Sequence, residues 1–280
     1  MNSVAILTDS GCDIPPDLVE KHQIVVVPLY VIWGDEDLRD GQDIDNPTFY
    51  DRLTRDPIHP QTSQPAPSDF ARALAQSRAD QALIITLTGA LSGTYDAALQ
   101  AANMVDMPVH VVDSRSLSMG LGAQVLAAAR EREAGGSLQT MIAAAEKVRD
   151  SLSLVLTLET LEYLHRGGRI GTAAKVLASA VRLKPLLEVD HSTGLLEVVG
   201  RIRTRRKALA RIVDELFTRV DETKPLRAAV LHAAAAEEAL ALAKEIRRRA
   251  QPLELIVAQI TPALGVHGGP GAVGACAYNV

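Results

Sequence analysis

The feature that most constrains the fold is an alternation in the first half of the chain. Short β-branched runs at residues 4–8, 25–30, 83–87 and 109–112 are separated by stretches with apolar residues at helical spacing. Strands and helices repeat with different periods, so the switching marks strand–helix–strand units. Such units require crossover connections, which build a largely parallel sheet covered by helices. Pro67-Ser68-Asp69 opens one Ala-rich helix, and helical spacing recurs at 118–132 and 138–149.

Past residue 150 the pattern changes. A short apolar run at 154–158 leads to Leu161-Glu162-Tyr163-Leu164-His165-Arg166-Gly167-Gly168-Arg169-Ile170-Gly171, a helix end followed by a glycine-rich turn. Runs at 186–189 and 195–199 flank Asp190-His191-Ser192-Thr193-Gly194 and predict a hairpin. A basic helix from Thr204, a strand at 228–232, a second Ala-rich helix to Arg249 and final strands follow. The expected fold class is therefore α/β in two lobes. Residues 1–150 form an α/β lobe with a mostly parallel sheet, residues 151–280 a mixed α+β lobe, and no repeat, low-complexity tract or long linker separates them.

Charged residues make up 22% of the chain and the net charge is −5, so no global field favours nucleic acid. The two cysteines, Cys12 and Cys276, sit at opposite ends without CxxC spacing, which excludes a zinc ribbon or disulfide scaffold and fits a reducing cytosol. The first residues lack a basic segment leading into a long apolar one, and no stretch of about 18 apolar residues occurs; a cytoplasmic protein without a membrane span is expected. Three Phe, five Tyr and one Trp leave the interior to aliphatic side chains, which permits a flexible aliphatic guest.

Candidate site residues converge on small polar groups. His267 is embedded among Gly265, Gly268, Gly269 and Gly271, where backbone can approach a ligand and the imidazole can donate to it. Two hydroxyl-bearing turns, Thr62-Ser63-Gln64-Pro65 and Leu91-Ser92-Gly93-Thr94, are its expected partners. Hydroxyls with a histidine suit one small anionic headgroup better than a metal or a polyphosphate. Asp9-Ser10 and Asp113-Ser114 follow strands, at the carboxyl end where open parallel sheets bind ligands; each pair fits a helix N-cap equally well.

Other motifs mislead. Gly269-Pro270-Gly271-Ala272-Val273-Gly274 spells G-x-G-x-x-G, but a dinucleotide site needs a following helix and a later acidic residue, and only six residues follow. Gly89-Ala90-Leu91-Ser92-Gly93 has two residues before the serine where a nucleophile elbow has one. The cluster Arg201, Arg203, Arg205, Arg206, Lys207 and Arg211 is followed by Asp214 and Glu215, the pattern of a solvated helix start.

Together the motifs resemble the DegV family. They are TDS at 8–10, TSQP at 62–65, LSGTY at 91–95, VDS at 112–114, LEYLHRGGRIG at 161–171, RT at 203–204 and HGGPG at 267–271, in the family's order along nearly the whole chain. The resemblance implies the fatty-acid-binding subunit of a bacterial fatty acid kinase, with the acyl chain in an aliphatic tunnel between or adjoining the lobes. A separate subunit would bring ATP and phosphorylate the carboxyl group; this chain would have no ATP site, no metal and no cofactor besides the bound long-chain fatty acid. By the same resemblance Thr62, Ser92, Arg203 and His267 would bind the carboxylate. Asp9, Ser10, Ser63, Gly93, Asp113, Ser114 and Gly268 would support them, with Arg166 and Arg169 meeting the kinase. Thr88-Gly89-Ala90 departs from the family, which more often has serines and a polar or charged residue there, and so does Gly268, where another polar residue is usual.

Two other functions fit parts of the sequence. A hydrolase or acyltransferase would use Ser92 as nucleophile with His267 as base. A nucleic-acid-associated regulator would use the Arg201 to Arg211 cluster and bind DNA with a steep salt dependence.

Overall fold

The computed structural model describes residues 3–171 and 183–280. In chain order the first part forms β1 (Val4–Asp9), α1 (Pro16–Lys21), β2 (Ile24–Val27), β3 (Tyr30–Trp33), β4 (Glu36–Arg39), α2 (Asn46–Arg55) and β5 (Gln61–Ser63). It continues through α3 (Pro67–Ser77), β6 (Gln81–Thr86), α4 (Thr94–Ala102), β7 (Val109–Asp113), α5 (Met119–Glu133) and α6 (Leu138–Ser151). The second part comprises β8 (Ser153–Thr157), α7 (Glu162–Arg166), β9 (Lys184–Asp190), β10 (Leu195–Ile202) and α8 (Arg205–Leu216). It ends with β11 (Leu226–His232), α9 (Ala236–Ala250), β12 (Glu254–Gln259), α10 (Pro262–Gly268) and β13 (Val273–Asn279).

The expected α/β architecture is present. A four-stranded sheet in the order β2-β1-β6-β7 is parallel throughout, and a six-stranded mixed sheet runs β10-β9-β8-β13-β11-β12. The β9–β10 hairpin is antiparallel, as its turn residues require. One expectation needs correction: the run at 25–30 is two strands in different sheets. Pro28 has no N–H to continue a ladder, so β2 ends and the chain starts again as β3 in a small antiparallel sheet, β4-β3-β5. The G-x-G-x-x-G segment runs into β13, a strand inside the second sheet, and not into a helix.

Helix α5 explains how the two sheets share an interior. It is buried on nearly every side, from Met119 through Ala129, and packs against β1, β6 and β11. A helix apolar all round is a core element. Its Gly122 lets the chain at Cys12 approach: a β-carbon there would lie 2.7 Å from the Cys12 carbonyl oxygen. The largest apolar cluster accordingly joins Ile6, Leu83 and Ile85 of the parallel sheet to Leu154, Leu187 and Cys276 of the mixed one. The expected boundary at residue 150 falls in the last turn of α6; residues 1–2 of the first expected lobe and 172–182 of the second lie outside the described residues.

Candidate functional site

The loops after β1, β6 and β7 leave the same end of the parallel sheet, and the loop after β6 supplies Leu87, Leu91 and Ser92 to a cavity of about 100 Å³. Open parallel sheets bind ligands beyond this edge. Leu29, Leu87, Leu156, Leu158 and Leu164 form its buried walls, whereas Thr62, Ser92 and His267 are partly exposed and Ser63, Gln64 and Arg169 are exposed. The cavity thus runs from polar groups at the surface to leucines in the core.

Each polar residue arrives on a different element. Thr62 is expected in a turn but lies in β5, paired opposite Val31 of β3. Ser92 precedes α4, where its hydroxyl and that of Thr94 lie 2.8 Å apart. His267 occupies the last turn of α10 and not a glycine loop: Pro262 starts that helix after Thr261, and Gly269, at φ +69°, ends it. Gly93 admits the TSQP segment, because a β-carbon there would lie 2.6 Å from Gln64 Nε2.

Thr62 Oγ1 and His267 Nε2 are hydrogen-bonded at 2.8 Å. Arg169 donates from Nη1 to the Gly167 carbonyl at 2.8 Å and from Nε to that of Leu91 at 3.4 Å, which places a guanidinium beside the hydroxyls. Burial, reinforced by the charges of Arg169 and His59, pushes the His267 pKa down to about 4. The imidazole is therefore neutral at neutral pH. Ser92 Oγ bonds Thr94 while His267 Nε2 bonds Thr62; a Ser92–His267 nucleophile–base contact is not formed among the described residues.

The remaining expected residues divide. Ser63 and Gly268 line the cavity. Asp9 is fully buried and acts as a cap, accepting from Gly11 N at 3.0 Å and from Leu87 N at 2.8 Å, so it fixes the strand ends without facing the cavity. Ser10 donates to Asp40 at 2.6 Å. Asp113 accepts from Gly89 N at 3.2 Å and Ser114 from Ser116 N at 3.1 Å, tying down the Thr88-Gly89-Ala90 loop. Arg166 is exposed and pairs with Glu162. Arg203 is exposed just after β10 and does not line the cavity, whereas Arg169 does. Within the basic cluster, Arg205 is paired with Glu238 at 2.5 Å and Arg211 with Glu215 at 3.3 Å.

Two functional groups have no counterpart in the sequence reading. Asp13 and Asp40, 4% and 3% exposed, clasp the start of α10: Thr261 N donates to Asp13 at 2.9 Å and Ala263 N to Asp40 at 3.3 Å. Burial pushes their pKa values up to about 7 and about 6, and that of Asp9 to about 7. The helix that carries His267 is thus anchored to the loops after β1 and β4 by buried carboxyl groups. Among the described residues no cluster of His, Cys, Asp and Glu is arranged to hold a metal ion, and no helix is long and apolar enough to cross a membrane.

A four-stranded parallel sheet, a mixed sheet packed on a shared helix and a leucine cavity capped by Thr, Ser and His define a fold found in known proteins. Residues 3–280 match the family model described as an uncharacterised protein family, DegV. A DegV domain-containing protein of Streptomyces coelicolor is 40% identical over 97% of this chain and 96% of its own length. A DegV family protein from Thermus thermophilus described as binding fatty acid superposes with a TM-score of 0.92 at 35% identity, covering 99% of this chain and all of that one (100%). DegV of Bacillus subtilis, described as a fatty acid binding protein, gives 0.92 at 30% identity with 100% of both chains covered. The chain belongs to the DegV family.

Proposed function

We propose that this protein binds one long-chain fatty acid, with the acyl chain among the leucines and the carboxylate at Thr62, Ser92 and His267, and presents that carboxylate to a separate ATP-dependent kinase subunit. The observation that carries the binding is the continuity of the cavity, from exposed donors to fully apolar walls. Fatty acid binding by the Thermus thermophilus and Bacillus subtilis relatives supports it. The division at residue 150 into two lobes, with the chain held at their junction, belongs to the same proposal. The cavity of about 100 Å³ takes only part of such a chain, so the leucines must part to admit the rest. Burying roughly 14 methylenes at about 0.8 kcal/mol each offers on the order of 11 kcal/mol before that opening and immobilisation are subtracted. The headgroup contacts then set orientation.

Arg169 is the cation we assign to the carboxylate. Its guanidinium already borders the cavity, whereas Arg203 points out at the surface, where a kinase subunit bringing ATP would meet it. An ionised carboxylate is itself the nucleophile toward a phosphoryl group, so the site needs donors that disperse charge and no general base.

Native mass spectrometry of the protein purified from a bacterial host tests the carrier function. About one long-chain fatty acid per chain is expected; protein that comes unliganded and takes up neither oleate nor palmitate removes it. Thr62→Ala with Ser92→Ala is expected to bind oleate at least tenfold more weakly without unfolding, since each charge-assisted hydrogen bond is worth roughly 1.5–3 kcal/mol. Arg203→Ala should stay within about threefold of the parent in oleate affinity yet lower acyl-phosphate formation with kinase subunit and ATP, whereas Arg169→Ala should weaken oleate binding. Acyl-phosphate formation by this chain alone would overturn the division of labour.

A further inference from the structure

His267 meets α7 in an unusual way. Its Nδ1 is buried and has no hydrogen-bond partner among the described residues, while Nε2 bonds Thr62. The Nδ1–Cε1 edge of the ring abuts Gly167: a β-carbon at that position would overlap Nδ1 and sit 2.8 Å from Cε1. The same contact recurs in reverse one turn away. Tyr163 of α7 lies on Gly269, where a β-carbon would be 2.6 Å from Cγ and Cε2 of the phenol ring. Each helix end thus offers a glycine to the other's ring.

The two glycines serve different needs. Gly269, at φ +69°, occupies a conformation that other residues adopt only with strain. Gly167, at φ −76° and ψ −8°, is in the ordinary right-handed helical region, open to any residue. Conformation does not require glycine at 167; the space taken by His267 does.

We propose that Gly167 is a positioning residue for the headgroup site, seating the His267 ring so that Nε2 carries the proton and donates it to Thr62 Oγ1, which frees the Thr62 hydroxyl to donate to a ligand carboxylate. This rests on the fatty acid reading of the site. The proton assignment follows from the packing. A bare lone pair on Nδ1 is unpaired but fits against Gly167. A proton there would be a buried donor aimed at Gly167 with no acceptor among the described residues, and it would need room that this close contact lacks. Nε2 would then accept from Thr62 and withdraw its only hydroxyl hydrogen from the ligand. With the proton on Nε2, the chain of donation runs from imidazole to hydroxyl to carboxylate. The alternative tautomer reverses it.

Gly167→Ala adds one methyl where the backbone tolerates it and the ring does not. Oleate affinity is expected to fall roughly tenfold or more, the scale of one lost charge-assisted hydrogen bond. In a His267→Ala background the same methyl has no ring to displace, so Gly167→Ala should change affinity less than twofold, a coupling that a double-mutant cycle isolates. Long-range ¹H–¹⁵N spectra of histidine-labelled parent should show His267 as the Nε2–H tautomer, with that pattern lost in Gly167→Ala. An equal loss of affinity in both backgrounds, or a parent His267 in the Nδ1–H form, overturns the proposal. Should the parent bind no oleate, the carrier function fails, and the tautomer comparison between parent and Gly167→Ala still decides what Gly167 does.

Discussion

Asp13→Asn is expected to make the protein more stable at pH 8 by ~2–4 kcal/mol while leaving it close to the parent at pH 4. The Asp13 carboxyl is 4% exposed, accepts from Thr261 N at 2.9 Å and from Ser118 Oγ at 2.5 Å, and shares its surroundings with Asp9 and Asp40. Tyr50 and Cys12 also face this cluster; Tyr50 gives its hydroxyl proton to the Ile260 carbonyl, and burial with the nearby carboxylates keeps the Cys12 thiol protonated. Burial raises the folded pKa from 3.8 to about 7, so between these values the folded protein holds a proton that the unfolded chain has released. Stability then falls as pH rises, by about 1.4 kcal/mol per pH unit, and levels off above pH 7. Asparagine never ionises, and it keeps both contacts: its carbonyl accepts from Thr261, and its amide donates to a reoriented Ser118 hydroxyl. Melting curves of parent and variant from pH 4 to 8 measure the difference, in which the opposite contribution of buried histidines such as His267 cancels. A variant less stable than the parent at every pH would show that the ionised carboxylate, and not its desolvation, dominates the clasp.

The parts of the fold that were legible in the sequence are those built from local pattern. The strands of the parallel sheet stand out because each is a short β-branched run, and α3 because Pro67 and Asp69 start it. Legibility fails where structure depends on a partner far along the chain. β5 is three residues long, too short for a periodic pattern, and exists because β3 offers it an edge. Helix α10 is hidden by its glycines; it forms because Pro262 starts it and Asp13 and Asp40 hold its first turn. At the site, Thr62, Ser92 and His267 were each conspicuous as polar residues among turn formers. The family resemblance assigns Arg203 to the carboxylate and Arg169 to the kinase; only the fold shows that Arg169 borders the cavity and Arg203 does not, because the turn carrying Arg169 is brought to the cavity by contacts far along the chain. Gly167 reads as a helix stop from sequence, because the ring it accommodates arrives from α10.

The second large effect concerns the ligand's length. If the leucines provide most of the affinity, each added methylene contributes about 0.8 kcal/mol, so palmitate should bind roughly two hundredfold more tightly than laurate. The carboxylate is common to both, which leaves the hydroxyls, Arg169 and His267 with identical work to do and isolates the apolar wall. Leu29, Leu87 and Leu158 are 5%, 5% and 1% exposed, already out of water before any ligand arrives, so the gain comes chiefly from dehydrating the acyl chain itself. A negative heat-capacity change that grows with chain length should accompany it. Calorimetric titration of fatty acid-free protein with the C12, C14 and C16 acids measures both quantities. The increase must stop where the chain meets the end of the cavity, because a close-packed core resists further insertion. An affinity independent of length across this series would mean that the chain stays outside the leucines and that the headgroup alone holds the ligand, which would also make the Thr62 and Ser92 contacts the dominant source of binding.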